Sequence, residues 1–320
     1  MLSNILRLIR VKNLLIIAFT QYLMRYAIIF PMLKAKGYES QFGDFNFFLL
    51  VLSTMILATA GYIINDYFDT KTDLLNRPKT VVVGKHIDRR SVMTAHIVLN
   101  IIGIIIGFYI SWQIHLWKLV YIYILVTGLL WFYSASYQKM FLVGNIIVAI
   151  LTALVPLMTV LYEIPPLNAK YFDVLLRLND NFYTMFFWVA GFSAFAFITT
   201  LNREIIKDVE DFEGDNAYGS RSLPVMWGIN NSKIVTVSLS LLTAALILYT
   251  YFNYIHIPQA IDKVSIAYII VFLIIPNFFL AYKIIKAKNS NDWKVAGNIA
   301  KLIMLFGILY SLVVWYGFNY

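Results

Sequence analysis

The chain has 320 residues, 60% of them hydrophobic and only 13% charged, with a formal net charge of +9. Soluble domains hold about 25% charged and about 45–50% apolar residues, so a water-soluble globule is excluded. The absence of cysteine removes disulfides, thiolate catalysis and cysteine metal sites, and the four histidines (His86, His96, His115, His256) show no ligand spacing.

Apolar runs of about 20 residues can cross a hydrocarbon core of about 30 Å as helix. Because the runs are continuous and do not alternate, helices are expected rather than a barrel. Nine spans are expected, roughly Leu14–Phe30, Phe47–Ile64, Ala95–Trp112, Leu116–Tyr133, Leu142–Leu161, Phe182–Thr200, Ile234–Tyr251, Val264–Ile285 and Ile299–Phe318. Arg7, Arg10 and Lys12 precede the first run as in a signal peptide. No small-residue cleavage site follows and the run continues past Arg25 to Pro31, so it reads as an uncleaved first span. Arg25 would cost about 2.5–3.5 kcal/mol at the bilayer centre, so it is expected to face a cavity or a partner, or to snorkel outward.

With the N-terminus cytoplasmic, eighteen Lys and Arg residues lie on that face and six on the other. This is the positive-inside pattern, not a nucleic-acid patch, and no nucleic-acid partner is expected. The segment Glu163–Asn181, with Pro165-Pro166, is expected to be an outer loop with a short interfacial helix from Tyr171 to Leu178. The expected fold is an all-α integral membrane bundle of nine transmembrane helices, with residues 1–320 forming one integral domain.

Two long cytoplasmic loops, about 65–93 and 201–233, hold ten of the seventeen acidic residues. Asp66, Asp69 and Asp73 follow span 2 at i, i+3 and i+7, and Asp208, Asp211 and Asp215 repeat that spacing after span 6. On one helix face such carboxylates repel one another, and a chain this apolar has little structural use for them. A cation is implied. Magnesium takes oxygen ligands and bridges one or two carboxylates to substrate phosphates. Two clusters at one cytoplasmic cavity mouth could hold Mg²⁺ around a diphosphate and neutralise charge on its leaving oxygens. The six aspartates, with Asn65, are the expected catalytic and metal-binding residues. Arg77, Lys79, Lys139, Arg203 and Lys207 lie beside them and suit a diphosphate, although each also serves as a topology determinant. The shared spacing after even-numbered spans is compatible with two related halves. Aromatic faces can stabilise an allylic cation, and Tyr62, Tyr67 and Tyr133 lie nearest the polar motifs.

Asn65-Asp66-x-x-Asp69-x-x-x-Asp73 resembles the first aspartate-rich motif of the UbiA family of intramembrane prenyltransferases, and Lys207-Asp208-Val-Glu-Asp211-Phe-Glu-Gly214-Asp215 resembles the second. Tyr133-Ser134 with Lys139, Gly144-Asn145, and Arg10 with Asn13 are further matches. The resemblance implies a helical bundle with a central cavity and a cytoplasmic cap. It also implies Mg²⁺-dependent transfer from a polyprenyl diphosphate such as geranylgeranyl diphosphate to a lipophilic acceptor. It assigns Asn65, Arg77, Lys139, Lys207, Arg10, Asn13 and Tyr133 to the diphosphate. The run Asp73-Leu-Leu-Asn76-Arg77-Pro78 is most similar to the geranylgeranylglycerol-phosphate geranylgeranyltransferase branch. That branch continues with a second Arg-Pro and a Ser-Gly, where this chain has Lys79-Thr-Val-Val-Val-Gly84-Lys85. A (geranylgeranyl)glycerol phosphate-type lipid and an aromatic acceptor of quinone biosynthesis both stay open. From other classes, a cation-coupled transporter would place acids deep in several spans, and a divalent-stapled scaffold would show metal-dependent stability without turnover. The expected location is a multi-pass site in the bilayer, the plasma (inner) membrane of a prokaryote, with the active site facing the cytoplasm.

Overall fold

The computed structural model describes residues 2–71, 74, 81–254 and 259–319. Among these residues, nine helices are long and apolar enough to span a membrane: α1 (Val11–Ala35), α2 (Asp44–Phe68), α3 (Arg89–Gln113), α4 (Trp117–Ala135), α5 (Val143–Lys170), α6 (Tyr183–Glu210), α7 (Ile229–Tyr254), α8 (Lys263–Lys286) and α9 (Ser290–Phe318). Every expected span has its helix, and the chain is a multi-span integral membrane protein. Apart from a single β-bridge between Val83 and Ile87, regular structure among the described residues is helical.

Two helices, α5 and α6, run well past their expected C-terminal ends, to Lys170 and Glu210. α6 continues to Glu210 because Ile206 and Val209 on its last turns bury themselves against Leu280, Ile284 and Trp293. α5 runs through Pro165-Pro166 to Lys170, where a loop is expected. An interior proline costs about 3 kcal/mol in a helix, and burial of Tyr162, Glu163 and Leu167 offsets it. Glu163 Oε1 accepts hydrogen bonds from Ser40 Oγ at 2.8 Å and from the Gln41 and Phe42 amides at 2.9 and 3.3 Å. That carboxylate holds the chain entering α2. The expected interfacial helix forms at Phe172–Leu178 and ends on Asn179 in the left-handed region, φ 49°.

The chain divides into two compact units. The first comprises Met1–Tyr22, Glu39–Gln138 and Leu157–Phe186. Within it α2, α3 and α4 pack on one another, closely enough that a Cβ on Gly107 would lie 2.5 Å from the Tyr123 ring. Small residues permit such approaches between membrane helices, and polar side chains bond across them. Here His96 Nδ1 lies 2.9 Å from the Ala60 carbonyl, an acceptor, which makes Nδ1 the donor; Nε2 then accepts from Asn100 Nδ2 at 3.0 Å. The Ser111 and Tyr162 hydroxyls share a hydrogen bond of 2.6 Å. At the end bearing the first acids, Leu8, Ile63, Val82, Val83 and Val92 form an apolar cluster. It anchors the segment 81–87 that leads into α3.

The second unit comprises Leu23–Tyr38, Lys139–Pro156 and Phe187–Tyr320. Its core joins the end of α6 to α8 and α9 through Ile206, Val209, Leu280, Ile284, Trp293, Ala296, Ala300 and Ile303. Both π-helical segments lie here, Met24–Ile29 in α1 and Ile269–Ile274 in α8, and both pack on α9. Arg25, in the first of them, is buried with its guanidinium 4.8 Å from the centre of the Phe30 ring. Cation–π attraction of this desolvated kind is worth about 2 kcal/mol or more. Polar groups again pair between helices: Asn202 donates to Ser240 at 2.8 Å, and Ser265 and Tyr310 lie 2.7 Å apart. The Lys233 ammonium donates to the Ile285 and Ala287 carbonyls at the end of α8, where a cation complements the helix dipole.

Candidate active site

The first acid motif begins on the last turn of α2. Asp69 closes that helix at φ −83°, ψ 0°, its amide donating to the Asn65 carbonyl at 2.9 Å. The second motif is built the same way. Asp211 follows α6 at φ −94°, ψ 9°, its amide donating to the Lys207 carbonyl at 2.9 Å. In each motif the middle aspartate occupies the bridge region of backbone space, sparsely populated and frequent in active sites. Asp211 separates α6 from a short helix, Phe212–Ala217, that carries Asp215. The second set of acids therefore spans a break between helices, not one unbroken helix face as the spacing predicts. Asp73 and Arg77, both expected site residues, lie outside the described residues.

Within the first unit, Asn65, Asp66, Asp69 and Arg10 lie together. Arg10 donates to Asp66 Oδ1 at 2.6 Å and more weakly to Asn65 Oδ1 at 3.4 Å. It sits between the short helix Leu2–Leu8 and α1 at φ 50°. A side chain in that left-handed region costs about 1–3 kcal/mol, a strain that clusters at functional sites. Burial acts to lower the Arg10 pKa, but the charge and hydrogen bond of Asp66 outweigh it, with Tyr62 and Tyr133 adding to them, and the net shift is upward. Tyr133 thus stands close to Arg10, whose guanidinium also lies 4.9 Å from the centre of the Tyr62 ring. Arg89 covers the Tyr67 ring at 4.0 Å. Asn13 is exposed, and its amide donates to the Arg10 carbonyl at 2.8 Å.

Gln138 joins this group, although charge and spacing do not reveal it. Its Nε2 donates to Asp69 Oδ1 at 2.5 Å, while Asn65 Nδ2 donates to Asp69 Oδ2 at 2.5 Å and to Gln138 Oε1 at 2.9 Å. Its one signal in sequence is its place beside Lys139 in the short connection after α4.

In the second unit, Asn145 on α5 donates to Asp208 Oδ2 at 2.8 Å, which gives the Gly144-Asn145 match a physical role. Glu204, one turn before Asp208, is buried and paired with Arg203. The Asp215 carboxyl has its pKa raised, first by burial and then by the like charge of Asp211. The Ser222 hydroxyl, Lys207 and Lys139 pull it the other way. Lys139 is exposed in the turn Tyr137–Lys139, and its carbonyl accepts the Arg221 amide at 2.8 Å.

The donors offered by both motifs are carboxylate and amide oxygens, the hard ligands that suit magnesium. Among the described residues no three His, Cys, Asp or Glu side chains already converge as a closed cation cage. The raised Asp215 pKa fits a cation, whose charge would offset the burial and the like charge that favour its proton.

The chain matches the model of the UbiA prenyltransferase family over residues 26–309. It is 30% identical over 292 residues to the digeranylgeranylglyceryl phosphate synthase of Methanobrevibacter smithii, covering 90% of each chain. It is 29% identical to the protein of that name from Methanosphaera stadtmanae, over 84% of this chain and 86% of that one. Among solved structures it resembles a digeranylgeranylglyceryl phosphate synthase with a TM-score of 0.64 at 21% identity, over 97% and 98% of the two chains. It also resembles a UbiA homologue from Archaeoglobus fulgidus bound to DMAPP and Mg²⁺, with a TM-score of 0.56 at 17% identity over 96% and 98%.

Proposed function

The chain belongs to the UbiA prenyltransferase family, and on that premise we propose that it transfers a prenyl group from a polyprenyl diphosphate to a glycerol phosphate-type lipid with Mg²⁺ as cofactor. The observation that carries the site assignment is the matched build of the two acid motifs, each with its middle aspartate at the turn closing a long helix. The glycerol phosphate-type acceptor rests on the relatives' names together with the Asp73–Pro78 run, and geranylgeranyl diphosphate is the donor that fits them. The relatives' solved complexes with DMAPP, GPP and Mg²⁺ support the donor class and the cofactor. We read residues 1–320 as one catalytic domain in the plasma membrane, with its acid motifs on the cytoplasmic side that the base count favours.

In this reading Asn65, Asp66, Asp69, Asp73, Asp208, Asp211 and Asp215 hold Mg²⁺, which when bound supplies positive charge to the diphosphate oxygens. Arg10, Lys139, Lys207 and Arg77 add charge-assisted hydrogen bonds to the same oxygens. Asn13 and Tyr133 line the same diphosphate end. The allylic C–O bond breaks with its electron pair leaving on diphosphate, and the allylic carbon becomes electron-poor. An acceptor hydroxyl then donates a lone pair to that carbon, forming an ether and losing its proton. Apolar walls keep out water, which would otherwise take the acceptor's place. The test replaces Asp69 or Asp211 by Asn in membranes given geranylgeranyl diphosphate and geranylgeranylglycerol phosphate. Each variant should lose transfer by at least about 100-fold, the scale of removing a charged group from a transition state. Full Mg²⁺-dependent transfer by either one refutes the assignment.

A further inference from the structure

We propose that Gln138 is a positioning residue that orients the Asp69 carboxylate for the cation; the inference rests on the reading that the first acid motif holds Mg²⁺. Asn65, Asp69 and Gln138 close a ring of three hydrogen bonds: Gln138 to Asp69 at 2.5 Å, Asn65 to Asp69 at 2.5 Å and Asn65 to Gln138 at 2.9 Å. Only a side chain that both donates and accepts can occupy the Gln138 corner, and among uncharged residues of that reach a primary amide does so. Leucine would leave both the Asn65 amide and one Asp69 oxygen short of a partner. Lysine would satisfy Asp69 but cancel its charge.

Asp66 is held by the Arg10 guanidinium, a cation that offsets its charge. Gln138 and Asn65 each donate to one Asp69 oxygen and are neutral, so they fix its plane without themselves cancelling its charge. A carboxylate has about four lone-pair sites, so amide contacts are compatible with ligation. Groups that orient a ligand in this way typically contribute about 10–100-fold to metal affinity. The turn bearing Gln138 is itself ordered: Tyr137 stacks on Phe132 with ring centres 5.9 Å apart at 30°, and Gln138 is half-buried.

The experiment measures Mg²⁺-dependent thermal stabilisation of the substrate-free protein in detergent, alongside the Mg²⁺ dependence of transfer. For Gln138→Ala, the Mg²⁺ midpoint in both assays should rise about 10–100-fold, with kcat at saturating Mg²⁺ within a few-fold of the parent. Gln138→Met keeps the length and the neutral charge but removes the donor to Asp69, and should shift the midpoint the same way. Unmoved midpoints in either variant overturn the inference, including the case in which metal-free stability falls and the midpoint does not, since that is a purely structural role. Asp69→Asn provides the separate arm. If it retains the Mg²⁺ response, the assignment of the motif fails and takes the Gln138 inference with it. If Asp69→Asn loses the response and the Gln138 variants do not, the inference alone fails.

Discussion

The segment 81–87 offers a direct measure of how firmly the first acid motif is backed. Val82 and Val83 are 3% and 1% exposed and pack with Leu8, Ile63 and Val92. The turn they hold carries four backbone hydrogen bonds, from the Lys85, His86 and Ile87 amides to the Val82 carbonyl and from Gly84 to Ile87, with Gly84 at φ 78°. Converting both valines to alanine removes about two methyl-sized groups from each, at about 0.8 kcal/mol apiece, or about 3 kcal/mol together. Each 1.4 kcal/mol is tenfold in an equilibrium constant, so the turn should open about 100–200-fold more often. Trypsin reads this directly, because Lys85 is exposed but its bond must leave the turn to be cut, and cleavage follows the open population when reclosing is fast. In detergent-solubilised protein, cleavage after Lys85 should accelerate by about two orders of magnitude, while cleavage after Lys288, in the other unit, stays unchanged. Rates within threefold of the parent would show that the apolar cluster does not hold the segment.

Replacing Asn145 by Ala removes the donor to Asp208; hydrogen bonds to charged groups are worth about 1.5–3 kcal/mol, so the Mg²⁺ concentration for half-maximal transfer should rise about 10–100-fold, and a change under threefold would refute the link. Gly307→Ala would place a methyl 2.0 Å from a Phe195 ring carbon; overpacking of this kind costs about 1–3 kcal/mol, measurable as a lower unfolding temperature in detergent, and Phe195→Leu in the same chain should restore part of it. The raised Asp215 pKa sets a pH dependence. Its charged form is penalised in the fold, so the metal-free protein loses stability as pH rises from the ordinary carboxylate value of 3.8 through the raised one. A cation favours that charged form, so apparent Mg²⁺ affinity should climb with pH through the same window and level off above it; Asp215→Asn should flatten that part of the profile.

The nine spans were legible because a bilayer demands long apolar runs, and the acids because two triplets of like charge need a reason to exist. What escaped sequence reading depends on packing. The Pro165-Pro166 pair reads locally as a break, yet burial of Tyr162 and Leu167 and the bonds to Glu163 carry the helix through it. The spacing of Asp208, Asp211 and Asp215 reads as one helical face, whereas the chain turns at Asp211. Gln138 has no charge and no motif of its own, and only tertiary structure brings its amide to Asp69. Arg25 was expected to find a cavity or a partner, or to snorkel; it is buried over the Phe30 ring, within a π-helical segment that no hydrophobic pattern announces.

The second of those segments, Ile269–Ile274, bears on heredity. A π-turn holds one residue more than an α-turn of the same pitch. Before it in α8, Ser265 bonds to Tyr310 and Tyr268 donates to the Phe306 carbonyl; after it, Leu280 and Ile284 join the buried cluster with Trp293 and Ala300. Deleting a single residue from an ordinary α-helical turn between them would turn one half of the helix by about 100° against the other and shorten it by about 1.5 Å, whereas a deletion within the π-turn removes its extra residue and lets an α-turn replace it with both sets still facing α9. Descendants of this chain can therefore lose a residue from the middle of α8 at the π-turn, where the wider turn has one to spare, and not on either side of it without a matching change in α9.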